Sequence, residues 1–308
     1  MQILVLGAAA GGGFPQWNTN DPTARRTRQG DIKVPAQTQS SIAVSNDGKR
    51  WILFNASPDL RQQINDNRQL HPAAEDPFRS SPIAAVVLTN ADVDHVTGLL
   101  SLRERQPLTL YAHERVLGVL ARNSIFNVLD PECVDRQPLA MLRETDICDR
   151  ASRTLGIAVT AFPVPGKVAL WLEDANAPNL GTDTGDTIGL KISDGATALF
   201  YIPGCAALTP DLAQWLQGAP CVLFDGTLWR DDEMIVKGVG SKTGRRMGHM
   251  SCSGPDGTIA AFQNLNVARK LFIHINNTNP LLISDSAERQ TALSAGWEIA
   301  RDGMEIVI

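Results

Sequence analysis

Short aliphatic runs recur along the chain, and between several of them the apolar spacing changes to three and four residues. The runs predict strands at Ile3 to Leu6, Ser41 to Val44, Trp51 to Asn55, Ile83 to Leu88, Leu108 to Ala112 and Ala158 to Phe162. Further strands are predicted at Ile188 to Ile192, Ala198 to Ile202, Val222 to Phe224, Lys270 to His274 and Glu298 to Ala300. Helical spacing covers Pro58 to Asn67, Gly98 to Arg105, Glu114 to Asn123, Pro210 to Leu216, Gly257 to Gln263 and Ser284 to Ser294. In the last of these, Asp285 and Glu288 lie early, where negative charge complements the helix dipole. Asn46-Asp47-Gly48 and Asp302-Gly303 each join apolar runs and predict hairpins. Alternating strands and helices predict an α/β fold.

Length and composition narrow the class. The 308 residues allow about two domains, but no linker is evident. The stretch from Asn65 to Pro82 is the best boundary candidate, and a surface excursion explains it equally well, so one domain over residues 1–308 is expected. A net charge of -5 argues against nucleic-acid partners, which need concentrated Lys and Arg. The one basic cluster, Arg25-Arg26-Thr27-Arg28, reads as a solvated loop. Met1 to Gly7 lacks a basic start and a long apolar core, which predicts a cytoplasmic location, and no apolar run is long enough for a membrane span. Cys133, Cys148, Cys205, Cys221 and Cys252 are odd in number and scattered, as expected of reduced thiols.

Candidate chemistry gathers at strand ends. Thr89-Asn90-Ala91-Asp92-Val93-Asp94-His95 follows the run Ile83 to Leu88, so Asp92, Asp94 and His95 project where α/β folds place ligands. Two carboxylates and an imidazole suit a divalent cation, with oxygen favouring manganese or iron and nitrogen favouring iron or zinc. Capping of a helix beginning near Val96 is the alternative for Asp92 or Asp94. Val222 to Phe224 runs into Asp225-Gly226-Thr227, and Leu271 to Ile273 runs into His274-Ile275-Asn276-Asn277. His249 stands in the Gly-containing loop Arg245 to His249. If their strands are neighbours, Asp94, His95, Asp225, His249 and His274 share one rim. His71 and His113 sit in surface turns or helix starts and do not read as ligands.

Leu6 to Asn18 is glycine-rich, yet Phe14-Pro15 interrupts any helix after Gly13, so no dinucleotide fingerprint is present. The segment reads either as a turn lining a pocket, with Trp17 as an aromatic wall, or as a structural turn under the sheet. No Ser stands in a Gly-x-Ser-x-Gly setting, and nothing local would stabilise a Cys252 thiolate.

With these residues in view, the chain resembles the pyrroloquinoline quinone biosynthesis protein B family of the metallo-β-lactamase superfamily, end to end. The resemblance is carried by Gly11 to Asn18, Thr38 to Ala43, Phe54 to Asp59, Gly98 to Arg103, Asp225 to Trp229, Met247-Gly248-His249 and His274 to Pro280. It implies an αββα sandwich of two mixed β-sheets with helices outside. The superfamily loop is His-x-His-x-Asp-His, and here Asn90 and Asp92 replace its first two histidines. Phe162 to Gly166 lacks a further ligand histidine, and Tyr201 to Cys205 lacks a bridging aspartate. Asp94, His95 and His274 then remain for one divalent metal, expected to be Fe(II), with zinc an option in isolated protein. Typical relatives carry Cys-x-Cys-x-x-Cys after the Trp-Asn pair, whereas Thr19, Asp21 and Ala24 stand here, so no structural thiolate zinc is expected.

The resemblance implies a hydroxylase of a glutamate-tyrosine-derived precursor, with a carrier of the quinone or precursor towards the periplasm as the alternative and a metal-dependent hydrolase as a third reading. In the first, Asp92 is an added metal ligand or a base behind the ligands, and Asp225 and His249 position substrate or move protons. Gly12, Gly13, Gln16, Trp17, Asn276 and Asn277 would bind the ligand. Other proteins of the pathway are expected partners, and homodimerisation is left open.

Overall fold

The computed structural model describes residues 1–172, 180–182 and 185–308. The chain first lays down β1 (Gln2–Gly7), β2 (Ser41–Ser45), β3 (Trp51–Phe54), β4 (Ile83–Val87), β5 (Leu108–Ala112) and β6 (Val134–Pro138). It then forms β7 (Glu144–Cys148) and β8 (Thr154–Pro163), a two-stranded ribbon of β9 (Gly166–Lys167) and β10 (Leu180–Thr182), and β11 (Ile188–Ser193). β12 (Ala198–Ile202), β13 (Cys221–Asp225), β14 (Arg269–Ile273) and β15 (Trp297–Ile299) follow, and β16 (Glu305–Val307) closes the chain. One seven-stranded sheet has the order β16-β1-β2-β3-β4-β5-β6 and the other β15-β14-β13-β12-β11-β8-β7. Both are mixed, antiparallel on one side and parallel from β3 to β6 and from β12 to β15.

The continuous apolar runs are explained by burial on both faces. Ile3, Val5, Ile42 and Val44 point into the core between the sheets, together with Leu223 and Ile273 from the second sheet. Their neighbours Leu4, Leu6 and Ala43 face an outer core, and Val222, Phe224 and Phe272 face the outer core on the opposite side. Helices cover these outer faces. They are α1 (Pro22–Arg28), α2 (Leu60–Asp66), α3 (Val93–Val96), α4 (Glu114–Arg122), α5 (Pro210–Leu216), α6 (Glu233–Val236), α7 (Thr258–Ala261) and α8 (Ala287–Ser294). In α4, Val116, Val119 and Leu120 form the buried stripe that a spacing of three and four predicts.

Several expectations are corrected. Asn46-Asp47-Gly48 does close a β2–β3 hairpin, but Asp302-Gly303 does not: β15 belongs to the second sheet and β16 pairs with β1 in the first. The basic cluster is not a loop but α1, because Asp21 accepts the N–H groups of Thr23 and Ala24, Pro22 suits the first turn, and three arginines complement its last turn. The predicted helix from Gly98 to Arg105 is a 3-10 turn over Thr97–Leu102.

Candidate metal centre

The loop after β4 is held on a rigid ledge. Asn55 Nδ2 donates to Thr89 Oγ1 at 2.9 Å, and the Thr89 N–H returns a bond to Asn55 Oδ1 at 2.9 Å. The Ala56 N–H donates to the His95 carbonyl at 2.7 Å, and Gly98 N–H to the Ala56 carbonyl at 2.9 Å. Gly98 is required here, since a Cβ would stand 2.1 Å from the Ser57 carbonyl oxygen. Asp92 occupies the cap position of α3, but its side chain makes no capping bond, and Asp94 lies inside the helix. Capping therefore does not account for this acidic loop.

The second sheet supplies the facing side. His274 follows β14 with φ of 60°, in the left-handed region that costs energy for a residue with a side chain. Its neighbour Ile275 bridges the glycine segment: the Ile275 N–H donates to the Ala8 carbonyl at 2.8 Å and the Ala10 N–H to the Ile275 carbonyl at 2.9 Å. This strap carries Gly11 so close to Asp94 that a Cβ on Gly11 would meet Asp94 Oδ2 at 3.3 Å. The two sheets thus bring Asp94 and His95 against His274.

Hydrogen bonds decide which nitrogen of each imidazole faces inward. Asn90 Oδ1 accepts the Asp92 N–H at 3.0 Å, which marks it as oxygen, so the His95 Nδ1 group 2.7 Å away is the donor. His95 Nε2 then carries the lone pair, and it is buried with no hydrogen-bond partner among the described residues. It lies 3.9 Å from Asp94 Oδ2, which is 3.1 Å from His274 Nε2. One ligand atom from each of the three falls within 4.8 Å of the others. Ligand atoms about 2.1 Å from one cation and at right angles stand about 3.0 Å apart, a spacing the Asp94–His274 pair meets, and His95 Nε2 closing on Asp94 by about 0.9 Å would complete a set for one divalent ion.

A second cluster, Asp225, His249 and His274, lies behind it. Asp225 is fully buried and saturated: Oδ2 accepts from Cys205 N–H at 2.8 Å and pairs with His249 Nδ1 at 2.7 Å. Its Oδ1 accepts the Thr227 N–H at 3.0 Å and the Thr227 hydroxyl at 2.6 Å. Having donated its proton, Thr227 Oγ1 accepts from His274 Nδ1 at 2.8 Å. The cluster is a hydrogen-bonded network that turns Nε2 of His274 towards Asp94.

Charge follows the same geometry. Burial acts to raise the Asp94 pKa, but the adjacent His95 and the hydrogen bond with His274 hold it well below the usual carboxylate range. Burial lowers His95 to about 4. Burial acts against the His274 imidazolium, yet Asp94 raises that residue above its ordinary value. Burial likewise opposes ionisation of Asp225, and His249 holds it low.

These groups open into a cleft of about 470 Å³ that is also lined by Gly11, Asn90, Asp92, Lys167, Lys242 and Asn276. Asp92, Asp94, His95, His249, His274 and Asn276 all reach it, and Asp225 lies beneath it. Gln16 and Asn277 instead wall a neighbouring cavity of about 260 Å³, joined by a bond from the Gln16 N–H to Asn277 Oδ1 at 3.0 Å. Trp17 is not a wall. It is 89% exposed, because the bonds of Gln16 to Asn277 and Gly11 turn the next side chain to solvent. Gly12 and Gly13 do not line the cleft either: Gly12 N–H is tied to Gln39 Oε1, and Gly13 backs onto Gln37. Lys167 and Lys242 were not predicted, since Lys167 ends the short strand β9 and Lys242 lies in a loop, neither within a local motif.

A model of the β-lactamase superfamily domain matches residues 50–275. Coenzyme PQQ synthesis protein B of Gluconacetobacter diazotrophicus is 54% identical over 306 residues, covering 99% of each chain. The protein of that name from Xanthomonas euvesicatoria is 52% identical over the whole of both chains. The chain belongs to the coenzyme PQQ synthesis protein B family. A solved member of that family, Zn²⁺-bound PqqB from Methylobacterium extorquens, is 49% identical and superposes with a TM-score of 0.95 over the whole of both chains. The αββα sandwich that the resemblance implies is therefore the fold of this family member.

Proposed function

We propose that this member of the PQQ synthesis protein B family is a mononuclear, iron-dependent hydroxylase of the glutamate-tyrosine-derived precursor. The observation that carries the reading is the lone pair of His95 Nε2, buried, unpartnered and facing Asp94 and His274. Two nitrogens and one carboxylate are the donor composition of non-haem iron oxygenases. The Zn²⁺ held by the Methylobacterium extorquens relative supports a divalent metal, and zinc would occupy the same three donors here. When bound, iron would supply the redox chemistry for placing an oxygen atom on an aromatic ring. The balance consumes dioxygen, two electrons and two protons, and yields the ring hydroxyl and water; an external two-electron reductant provides the electrons.

The chain's own residues orient and move protons. His249 donates through Nδ1 to Asp225, which leaves Nε2 towards the cleft, placed to hold a proton beside the ligand. Asp225 and Thr227 fix His249 and His274 together. Asp92, on the cleft wall next to Asn90, contacts the ligand or its protons. A hydrolase with two metals is disfavoured because Asp225 has its lone pairs engaged and His274 is shared between the two clusters.

Anaerobic loading with ferrous iron, followed by dioxygen, ascorbate and a glutamate-tyrosine conjugate, tests the reading. Ring-hydroxylated product is expected from the wild type and none from His274→Ala. Metal-replete protein that makes no product yet binds the quinone tightly would establish the carrier instead.

A further inference from the structure

Glu233 is a buried carboxylate that the chemistry above leaves unused. It is 6% exposed at the start of α6. Its Oε2 accepts the N–H groups of Trp229 at 2.8 Å and Arg230 at 3.3 Å, and its Oε1 accepts the Thr278 hydroxyl at 2.5 Å. The hydroxyl proton is thereby committed, so Thr278 Oγ1 is the acceptor for Asn276 Nδ2, 2.7 Å away. This sequence of donors assigns the Asn276 amide: nitrogen towards Thr278, Oδ1 at the opposite end. Asn276 lines both the main cleft, two residues after His274, and the side cavity. Its Oδ1 has no hydrogen-bond partner among the described residues.

The loop that carries this amide is pinned from several directions. The Asn276 N–H donates to the Thr227 carbonyl at 3.0 Å, Asn279 Nδ2 donates to the Gly226 carbonyl at 2.8 Å, and Lys237 Nζ donates to the Thr278 carbonyl. An amide free to rotate would offer a donor or an acceptor with equal ease. One locked by a buried carboxylate offers only the acceptor, and a fixed acceptor discriminates ligands that carry an N–H from isosteres that lack it.

We propose that Asn276 Oδ1 is the acceptor for an amino N–H of the ligand, with Glu233 and Thr278 as positioning residues that hold it in that orientation. This rests on the hydroxylase reading for what enters the cleft. The test measures binding by calorimetry, without dioxygen, of a glutamate-tyrosine conjugate and of the same compound with its amino groups replaced by hydrogen. Wild-type protein should prefer the amino compound by roughly tenfold or more, as for a hydrogen bond to a charged group. Thr278→Val, which frees the amide, should bring the preference below about twofold and leave the des-amino compound's affinity unchanged, while Thr278→Ser restores the preference. A Thr278→Val protein that keeps the wild-type preference overturns the proposal. So does equal loss of affinity for both compounds, which would make Thr278 merely structural. If neither compound binds the wild type, the precursor reading itself falls, and the role of Asn276 with it.

Discussion

Replacing Thr227 by valine removes one hydroxyl from the junction beneath the metal centre while nearly keeping the side chain's shape. In the wild type that hydroxyl donates to Asp225 Oδ1 at 2.6 Å and accepts from His274 Nδ1 at 2.8 Å. The variant leaves the His274 Nδ1–H buried without a partner, at about 1–3 kcal/mol, and takes one charged hydrogen bond from Asp225. Asp225 keeps the N–H groups of Cys205 and Thr227 and its pairing with His249, so its own loss is partly absorbed. A total near 2–4 kcal/mol is expected, and a lowering of Tm by several degrees. The imidazole of His274 also loses the bond that orients it, which typically weakens metal affinity roughly 10–100-fold. Titration with Co²⁺ against a chromophoric chelator measures the affinity, and thermal melts of metal-free protein measure the stability. Thr227→Ser should recover most of both. If Thr227→Val binds metal within about twofold of wild type while His274→Ala does not bind, the orienting role argued for the hydroxyl is wrong.

Four further outcomes follow from the structure. Gly98→Ala forces a Cβ against the Ser57 carbonyl, so the urea midpoint should fall by the equivalent of about 1–3 kcal/mol or more, with metal uptake falling in parallel. Asp21→Ala removes the side-chain cap of α1 and should cost about 1 kcal/mol in a urea titration, and X-ray absorption of the zinc-loaded wild type should show no sulfur ligand. Burial lowers the His95 pKa to about 4 from 6.5, so the unfolded chain takes up a proton there that the folded chain refuses. Metal-free protein should accordingly lose up to about 3 kcal/mol from this group as pH falls from 6.5 to 4, and none below that window. Urea titrations at stepped pH on wild type and His95→Gln check this, and a difference between them that stays flat across the window would refute it.

What could be read from the chain depended on how local the signal was. β4 and β13 were legible because residues such as Val86, Val87, Leu223 and Phe224 are buried on both faces, which demands an unbroken apolar run. β6 and β7 were not, because Val134–Pro138 and Glu144–Cys148 are edge strands with polar, partly exposed side chains. Asp94, His95 and His274 stand at strand ends, where a sheet's polarity already points to a ligand site. The role of Thr227 was hidden, since a threonine after Asp-Gly reads as turn chemistry until His274 is placed 2.8 Å from it across 47 positions of sequence. Trp17 misled for the opposite reason: an aromatic residue in a glycine loop suggests a wall, and only the bonds of Gln16 show which way it turns.

The substitutions that thin the ligand set are themselves built into hydrogen bonds. Asn90, where the superfamily loop has its first histidine, accepts from His95 Nδ1 and so aims the remaining imidazole's Nε2 into the cleft. Thr19 and Asp21, where the resemblance would place thiolates, bond to each other at 2.7 Å, and Asp21 caps α1. Ala24, at the third position, is buried in that helix, and Arg28 ties it to the Gln16 carbonyl at 2.8 Å. The side chains of Asn90, Thr19 and Asp21 are engaged in hydrogen bonds, and the backbone that presents Gly11 to Asp94 is anchored through Gln16 to Asn277. A chain that had simply lost its metals would leave such positions unsupported. Here Asn90 and the Gly11 segment both bear on one three-donor site, which is why a single metal, and not a degraded pair, is the arrangement to test.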